Sequence, residues 1–445
     1  MCFQRGIKPV KRALFLYAAV LLATPALAEP DFAPAIRADY DASGAALFDY
    51  FHRNPELSFK EVNTAARMAK ELRAIPGVVV TEKVGGTGVV GILSNGAGPT
   101  VLVRADMDGL PVEEKTGLAY ASKVRQVGVD GVDSPVMHAC GHDTHITAMV
   151  ATAKRLAALR NRWSGTVMFI VQPAEERVGG AEAMLKDGLY KRFTKPDYAL
   201  AFHVASQMPT GTVSGSEGIQ YSSSDSVDLT VRGVSTHGAA PQLGRDPVYI
   251  ASQVVVALQG LISREKGPLS AGVITVGAFH AGTKHNIISD HADLQITVRS
   301  NDTPTRNMLI AGIERVAKGI AMANGAPEPV VKVVESTPVT INDGALARRI
   351  NTAFVRELGA DAVPKFEQKD MGAEDFAYFV QPDLKVPGFY FAVGGTPQAA
   401  FDAAKAGGPP VAGHHSGLFK IDPKASIVTG ATAMTVAVME LLGKK

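Results

Sequence analysis

Cysteine is almost missing from this sequence. Cys2 and Cys140 are the only two in 445 residues, which excludes a disulfide framework as the basis of the fold. Long apolar runs are missing too: beyond the N-terminal segment, no stretch reads as a membrane-spanning helix. Neither sign of charge dominates. Lys and Arg total 45 against 43 Asp and Glu, a net charge of +2, so nothing points to nucleic acid or an anionic membrane surface as partner. There are no internal repeats and no low-complexity linkers.

What is present begins with a leader. Arg5, Lys8, Lys11 and Arg12 precede an apolar run from Ala13 to Thr24, and then comes Ala26-Leu27-Ala28, the small-x-small pattern of a signal-peptidase site. The expectation is a signal peptide over residues 1–28 and a periplasmic or secreted mature chain. The leader carries four basic residues and no acid, so its removal takes the net charge from +2 to −2. It also removes Cys2. Cys140 is then a lone thiol, which in many proteins is simply a small buried hydrophobe. Its neighbours His138, Gly141, His142, Asp143 and His145 make a poor apolar setting, and a reactive thiol would oxidise in such a compartment. A thiolate held by metal suits the position better.

Short β-branched runs (88–94, 100–107, 165–173, 198–204) alternate with helical patterns (64–75, 145–160), which predicts an α/β domain with a largely parallel sheet flanked by helices. From about Ser222 the texture changes to strand (225–233), helix (246–263), strands (272–279 and 291–300), helix (306–325) and strand (329–334). This is an α+β module with antiparallel pairing. The reading is therefore a catalytic domain over 29–221 and 336–445, interrupted by an inserted domain over 222–335. A last helix is expected at 427–442.

Several clusters fall at the predicted strand ends, where open α/β sheets gather ligands. "RADMDGLPVEE" places Asp106 and Asp108 at a strand–loop junction, and "MHACGHDTH" opens a helix from about His145. "QPAEE" puts Glu175 and Glu176 side by side after an apolar strand, "AFHV" sets His203 in another, and "HHSGLF" brings His414 and His415 near the C-terminus. Adjacent glutamates in a loop are ordinarily solvated charges, and a lone histidine in an apolar strand is ordinarily a core residue. In a metal site the glutamates divide the labour: one ligates, the other takes a proton from activated water. Cys140, His142, Glu176, His203 and His415 mix soft, borderline and hard donors, which suits zinc, manganese, cobalt or nickel better than magnesium or calcium. Five donors exceed the needs of one tetrahedral ion, so two ions are the natural reading. In "GVSTHGAAPQLG", His237 is either plain loop polarity or a hydrogen-bond donor to an oxyanion.

These clusters, with "STHGAAP" and "MGAEDFAYF", in this order and over nearly the whole mature chain, resemble the di-metal amidohydrolases related to aminoacylase and carboxypeptidase G. The branch most resembled holds hippurate hydrolase and indole-acetyl-amino-acid hydrolases. The resemblance implies that Cys140, His142, Glu176, His203 and His415 ligate two divalent ions, that Glu175 is the general base, and that Asp108 orients a ligand. It implies that the insert is a lid and dimerisation domain, with His237 reaching into the site of a partner subunit, and that Asn286 and Arg299 help hold the substrate. Arg299 lies mid-strand, where a surface role is equally open. The chain departs from the family's pattern at Ser289 and at Ser416-Gly417, where proline is usual, and the twin His414-His415 is resolved by alignment on Phe419.

The resulting expectation is an exported, homodimeric amidohydrolase that cleaves N-acyl amino acids or small dipeptide-like substrates, using metal-bound hydroxide with Glu175 as base. Two alternatives stand beside it: a hydrolase with Cys140 as nucleophile, and a periplasmic peptide- or metal-binding protein without catalysis.

Overall fold

The computed structural model describes Met1 and residues 30–444 apart from Phe366 and Lys369. The predicted leader at 1–28 lies outside the described residues, Met1 excepted.

The main sheet has seven strands, in the order Val78–Val84, Gly88–Asn95, Gly165–Gln172, Thr100–Asp106, Tyr198–Pro209, Gly388–Thr396 and Val213–Ser214. Its four central strands run parallel and the outer pairings are antiparallel. Every residue of Thr100–Asp106 is buried. That is why the strand reads as a nearly continuous apolar run: both faces of a parallel sheet are covered. Val101 and Val103 point into one layer with Ile146, Leu156, Phe354 and Val436, while Leu102 faces the other with Met184, Phe376 and Phe379.

The helix Pro423–Leu442 corrects the expectation that no later segment could span a membrane. It is 20 residues long with a mean hydropathy of 1.6, enough by length and composition, yet 78% of its most apolar window is buried against the protein. Its apolarity is that of a core helix.

Residues 223–337 run strand, helix, strand, strand, helix, strand around their own core of Val227, Leu229, Val254, Leu294 and Ile313. The four strands form an antiparallel sheet in the order Gly272–Ala281, His291–Ser300, Ser223–Arg232, Val330–Thr337. Asp246 and Asp302 cap the two helices by accepting from first-turn amides, with proline at the following positions.

Candidate metal centre

Three backbone features at the carboxyl ends of the central strands bring the donors together. Asp106 ends its strand and Asp108 follows in the loop. The helix His142–Ala158 begins three residues earlier than its apolar period suggested, because Gly141 turns the chain left-handed (φ 85°) immediately before it. That turn sets Cys140 in the loop and His142 in the first helical turn. After the strand Gly165–Gln172, Ala174 (φ 49°) and Val178 (φ 45°) bracket a single turn that carries Glu175 and Glu176. Left-handed backbone is costly for a β-branched residue, and such strain concentrates at functional sites.

Asp108 holds this arrangement in register. One carboxylate oxygen accepts from the Glu175 amide at 3.2 Å, the other from the Glu176 amide at 3.1 Å and from Ser58 Oγ at 2.6 Å. Its backbone carbonyl lies 2.9 Å from His142 Nδ1, which leaves Nε2 facing the cluster. From there His142 Nε2 is 3.8 Å from Glu176, 3.9 Å from Glu175 and 3.6 Å from Asp106. Cys140 Sγ lies 3.3 Å from His203 Nε2, and His415 Nε2 lies 3.4 Å from Glu176.

Donor atoms in each of three overlapping sets lie within 4.8 Å of one another: Cys140, His142 and His203; Cys140, Glu176 and His415; His142, Glu175 and Glu176. His142 Nε2 and Glu176 Oε1 are buried with no hydrogen-bond partner among the described residues. Each such orphan costs about 1–3 kcal/mol, and a cation lying between them removes the cost. The residues present therefore fit divalent ions, and their sulfur, nitrogen and oxygen donors fit a transition metal.

The electrostatics agree. Burial, then the nearby Glu374 and Glu176, hold the Glu175 carboxyl well above the ordinary range. Burial also pushes Glu176 up to about 8, with His142 opposing and Asp108 and Asp106 adding to the rise. The Cys140 thiol is raised by burial, Glu176 and Glu175. Burial alone would lower His142, but Asp106, Asp108 and Glu176 bring it up to about 10. Anionic groups crowd a place that calls for positive charge.

The sequence matches the model of peptidase family M20/M25/M40 over residues 102–405. This chain belongs to that family. It is similar to the hippurate hydrolase of Campylobacter jejuni, 39% identical over 335 residues that cover 74% of this chain and 83% of that protein. An IAA-amino acid hydrolase of Arabidopsis thaliana is 34% identical over 374 residues, 83% of this chain and 79% of that one. Among solved structures, a dinuclear metal-binding peptidase of family M20 from Bacillus subtilis superposes with a TM-score of 0.72 at 29% identity, covering 92% of this chain and 99% of the other. The chain is thus a metal-dependent hydrolase of the amidohydrolase and peptidase type, with an α/β body and a mostly parallel central sheet.

Not every candidate residue joins the cluster. His237 sits exposed on a two-residue strand of the insert, its Nδ1 accepting from the Ala239 amide at 3.0 Å. Asn286 lies beside it, since the Gly238 amide donates to the Asn286 carbonyl at 2.8 Å; the Asn286 side-chain oxygen is buried and unpartnered. Arg299 is half-buried on the strand His291–Ser300, opposite Ser224 and Val273. Among the described residues no hydrogen bond or ion pair joins these three to the metal cluster. His414 is nearer than His237: its Nδ1 lies 3.6 Å from Cys140 Sγ, while its Nε2 accepts from the Ser206 amide. With Nε2 so engaged, His414 is less free than His415, whose Nε2 faces Glu176.

Sequence reasoning gave no role to Arg104, His145, Glu374 or Asp375. His145 Nδ1 meets Asp106 at 2.5 Å and its Nε2 accepts from the Val204 amide, so both ring nitrogens are occupied and the ring braces the strand that carries His203. Arg104 is buried in a fork of three carboxylates. Its place inside an apolar strand was the available signal, since an arginine there requires partners from elsewhere in the chain.

Proposed function

We propose that this chain hydrolyses the amide bond of N-acyl amino acids or small dipeptide-like substrates, with Cys140, His142, Glu176, His203 and His415 holding two divalent ions. The observation that carries the reading is the unequal setting of two adjacent glutamates. Glu176 faces His142 and His415, as a ligand should; Glu175 stands at the edge, against Glu374 and Asp375, free to handle a proton. The ions, when bound, supply Lewis acidity that lowers the pKa of water to about 7 and polarises the amide carbonyl.

The chain's own groups do the rest. Glu175 takes a proton from the attacking water, holds it while the tetrahedral intermediate stands, and delivers it to the amide nitrogen as the carbon–nitrogen bond breaks. Asp108 keeps both glutamates and His142 oriented, as outer partners of metal ligands do. In this reading His237 of one subunit's insert donates to the oxyanion in its dimer partner, and Asn286 and Arg299 engage the substrate's carboxylate, for which a guanidinium is well shaped. The leader sends the protein to the periplasm. Against Cys140 as a nucleophile stands its setting: burial and neighbouring carboxylates disfavour the thiolate, the opposite of an activated cysteine.

The deciding experiment is turnover of a panel of N-acyl amino acids, hippurate included, by the mature protein with manganese or zinc and again after chelation. Glu175→Gln is run alongside, with bound metal measured. The expected result is metal-dependent release of amino acid, lost by about 10²–10⁴-fold in Glu175→Gln with metal retained. Turnover that survives chelation overturns the metal mechanism, and loss of metal from Glu175→Gln overturns the division of the two glutamates.

A further inference from the structure

The side chain of Glu175 is loosely tied. No hydrogen bond from a described residue reaches its side-chain oxygens, and its nearest cationic neighbour, His142, is 3.9 Å away. A general base must nevertheless present one oxygen to water in a fixed direction. Its carboxylate neighbours are firmly held. Glu374 and Asp375, from the motif "MGAEDFAYF", each place a carboxylate oxygen within 4.8 Å of Glu175.

These two are clamped by Arg104, whose side chain is fully buried. Arg104 Nη2 donates to Glu374 at 2.6 Å and to Asp375 at 3.1 Å, Nη1 to Glu374 at 3.2 Å and to Asp106 at 2.8 Å, and Nε to Gln172 at 2.7 Å. Glu374 also accepts from the Phe376 amide at 2.9 Å and from the Tyr390 hydroxyl. With so many partners Glu374 cannot turn away, so whenever Glu175 is ionised its like charge must.

We propose that Glu374 is the positioning residue of the general base: fixed by Arg104 and Tyr390, its carboxylate repels that of Glu175 and keeps it turned toward the ions and the reacting water. The role is distinct from that of Cys140, His142, Glu176, His203 and His415, since Glu374 shares a set of close donors with Glu175 and Asp375 and with none of those five. It rests on Glu175 as base, so the test must separate the two claims.

Three variants of the metal-loaded enzyme do so: Glu175→Gln, Glu374→Asp and Glu374→Gln, each measured for kcat, KM, bound metal and melting temperature. Glu374→Gln keeps the shape but removes the repelling charge, and its amide can draw Glu175 backward; kcat falls about 10–100-fold with KM and metal content held within about 2-fold. Glu374→Asp keeps the anion in the Arg104 fork one methylene further back, and kcat is intermediate. Wild-type kcat in Glu374→Gln overturns the proposal, as does a loss of kcat that comes with lost metal and a matching rise in KM. If Glu374→Gln does not fold, Glu374→Asp decides by the same criteria, with wild-type kcat overturning the proposal. Full activity in Glu175→Gln instead removes the base assignment itself.

Discussion

Gly141 governs two chemically different donors of the centre, a thiol on one side and an imidazole on the other. At φ 85° it holds a conformation that side chains resist, and a Cβ there would lie 2.4 Å from Val204 Cγ1. Gly141→Ala therefore strains the turn and pushes on the strand that carries His203. The expected outcome is a loss of about 2–4 kcal/mol of stability together with at least 10-fold weaker metal binding, read by denaturant melts and metal titration. Normal metal affinity in this variant would show that the turn does not set the ligands. At this scale the sequence was unevenly legible. Cys140, His142, Glu175 and Glu176 stood out because chemically dense residues are packed into short runs. Arg104 and Glu374 did not pair on the page because they lie 270 positions apart, and nothing local in either motif names the other.

Among elements, the joint between the helices Ala45–Arg53 and His142–Ala158 depends on pH. His52 Nδ1 meets Asp143 at 2.7 Å and its Nε2 meets Glu114 at 3.3 Å. Burial alone would lower this histidine, but the hydrogen bonds it donates to both carboxylates bring it up to about 9, from 6.5. A folded-state value above the unfolded one means that the contribution is complete below pH 6.5 and disappears as pH rises through 9. It amounts to about 3 kcal/mol at most. Unfolding of the wild type and of His52→Gln at pH 6 and pH 9.5 should show the gap between them narrowing by that order; a gap independent of pH would dismiss the ion pair as its cause. Element types followed from pattern where the pattern was clean. His291–Ser300 alternates over its full length and forms a half-buried strand. Gly388–Thr396, with three glycines and no alternation, gave no such signal, yet it lies inside the sheet between two strands, with Phe389 and Phe391 in one core layer and Tyr390 in the other. Two helix starts were displaced by aspartate caps: Thr303–Ala323 begins after Asp302, ahead of the expected 306, and Pro423–Leu442 after Asp422, ahead of the expected 427.

For the molecule as a whole, charge is the feature that stands out. Asp106, Asp108, Glu175, Glu374 and Asp375 are buried together, while Arg104 is the only buried Lys or Arg among the described residues. Burying such a surplus of anions is costly unless cations join them. Stripping the ions with a chelator should therefore lower the melting temperature by several degrees, since occupancy at 100-fold above Kd is worth about 2.7 kcal/mol, and added manganese or zinc should restore it. An unchanged melting temperature would mean that the anions are compensated by protons instead.

The order of strands in the main sheet also sets an order in time. The insert's core is drawn from residues between Val227 and Val331 and is complete once that stretch of chain has been made. The surrounding sheet must wait for Gly388–Thr396, which pairs with Tyr198–Pro209 across some 190 residues of chain, and its covering layer waits for the final helix. His415 arrives between those two segments. As the chain grows from its N-terminus, the interrupting unit is thus the first able to fold, and the body that encloses the ions is the last to close.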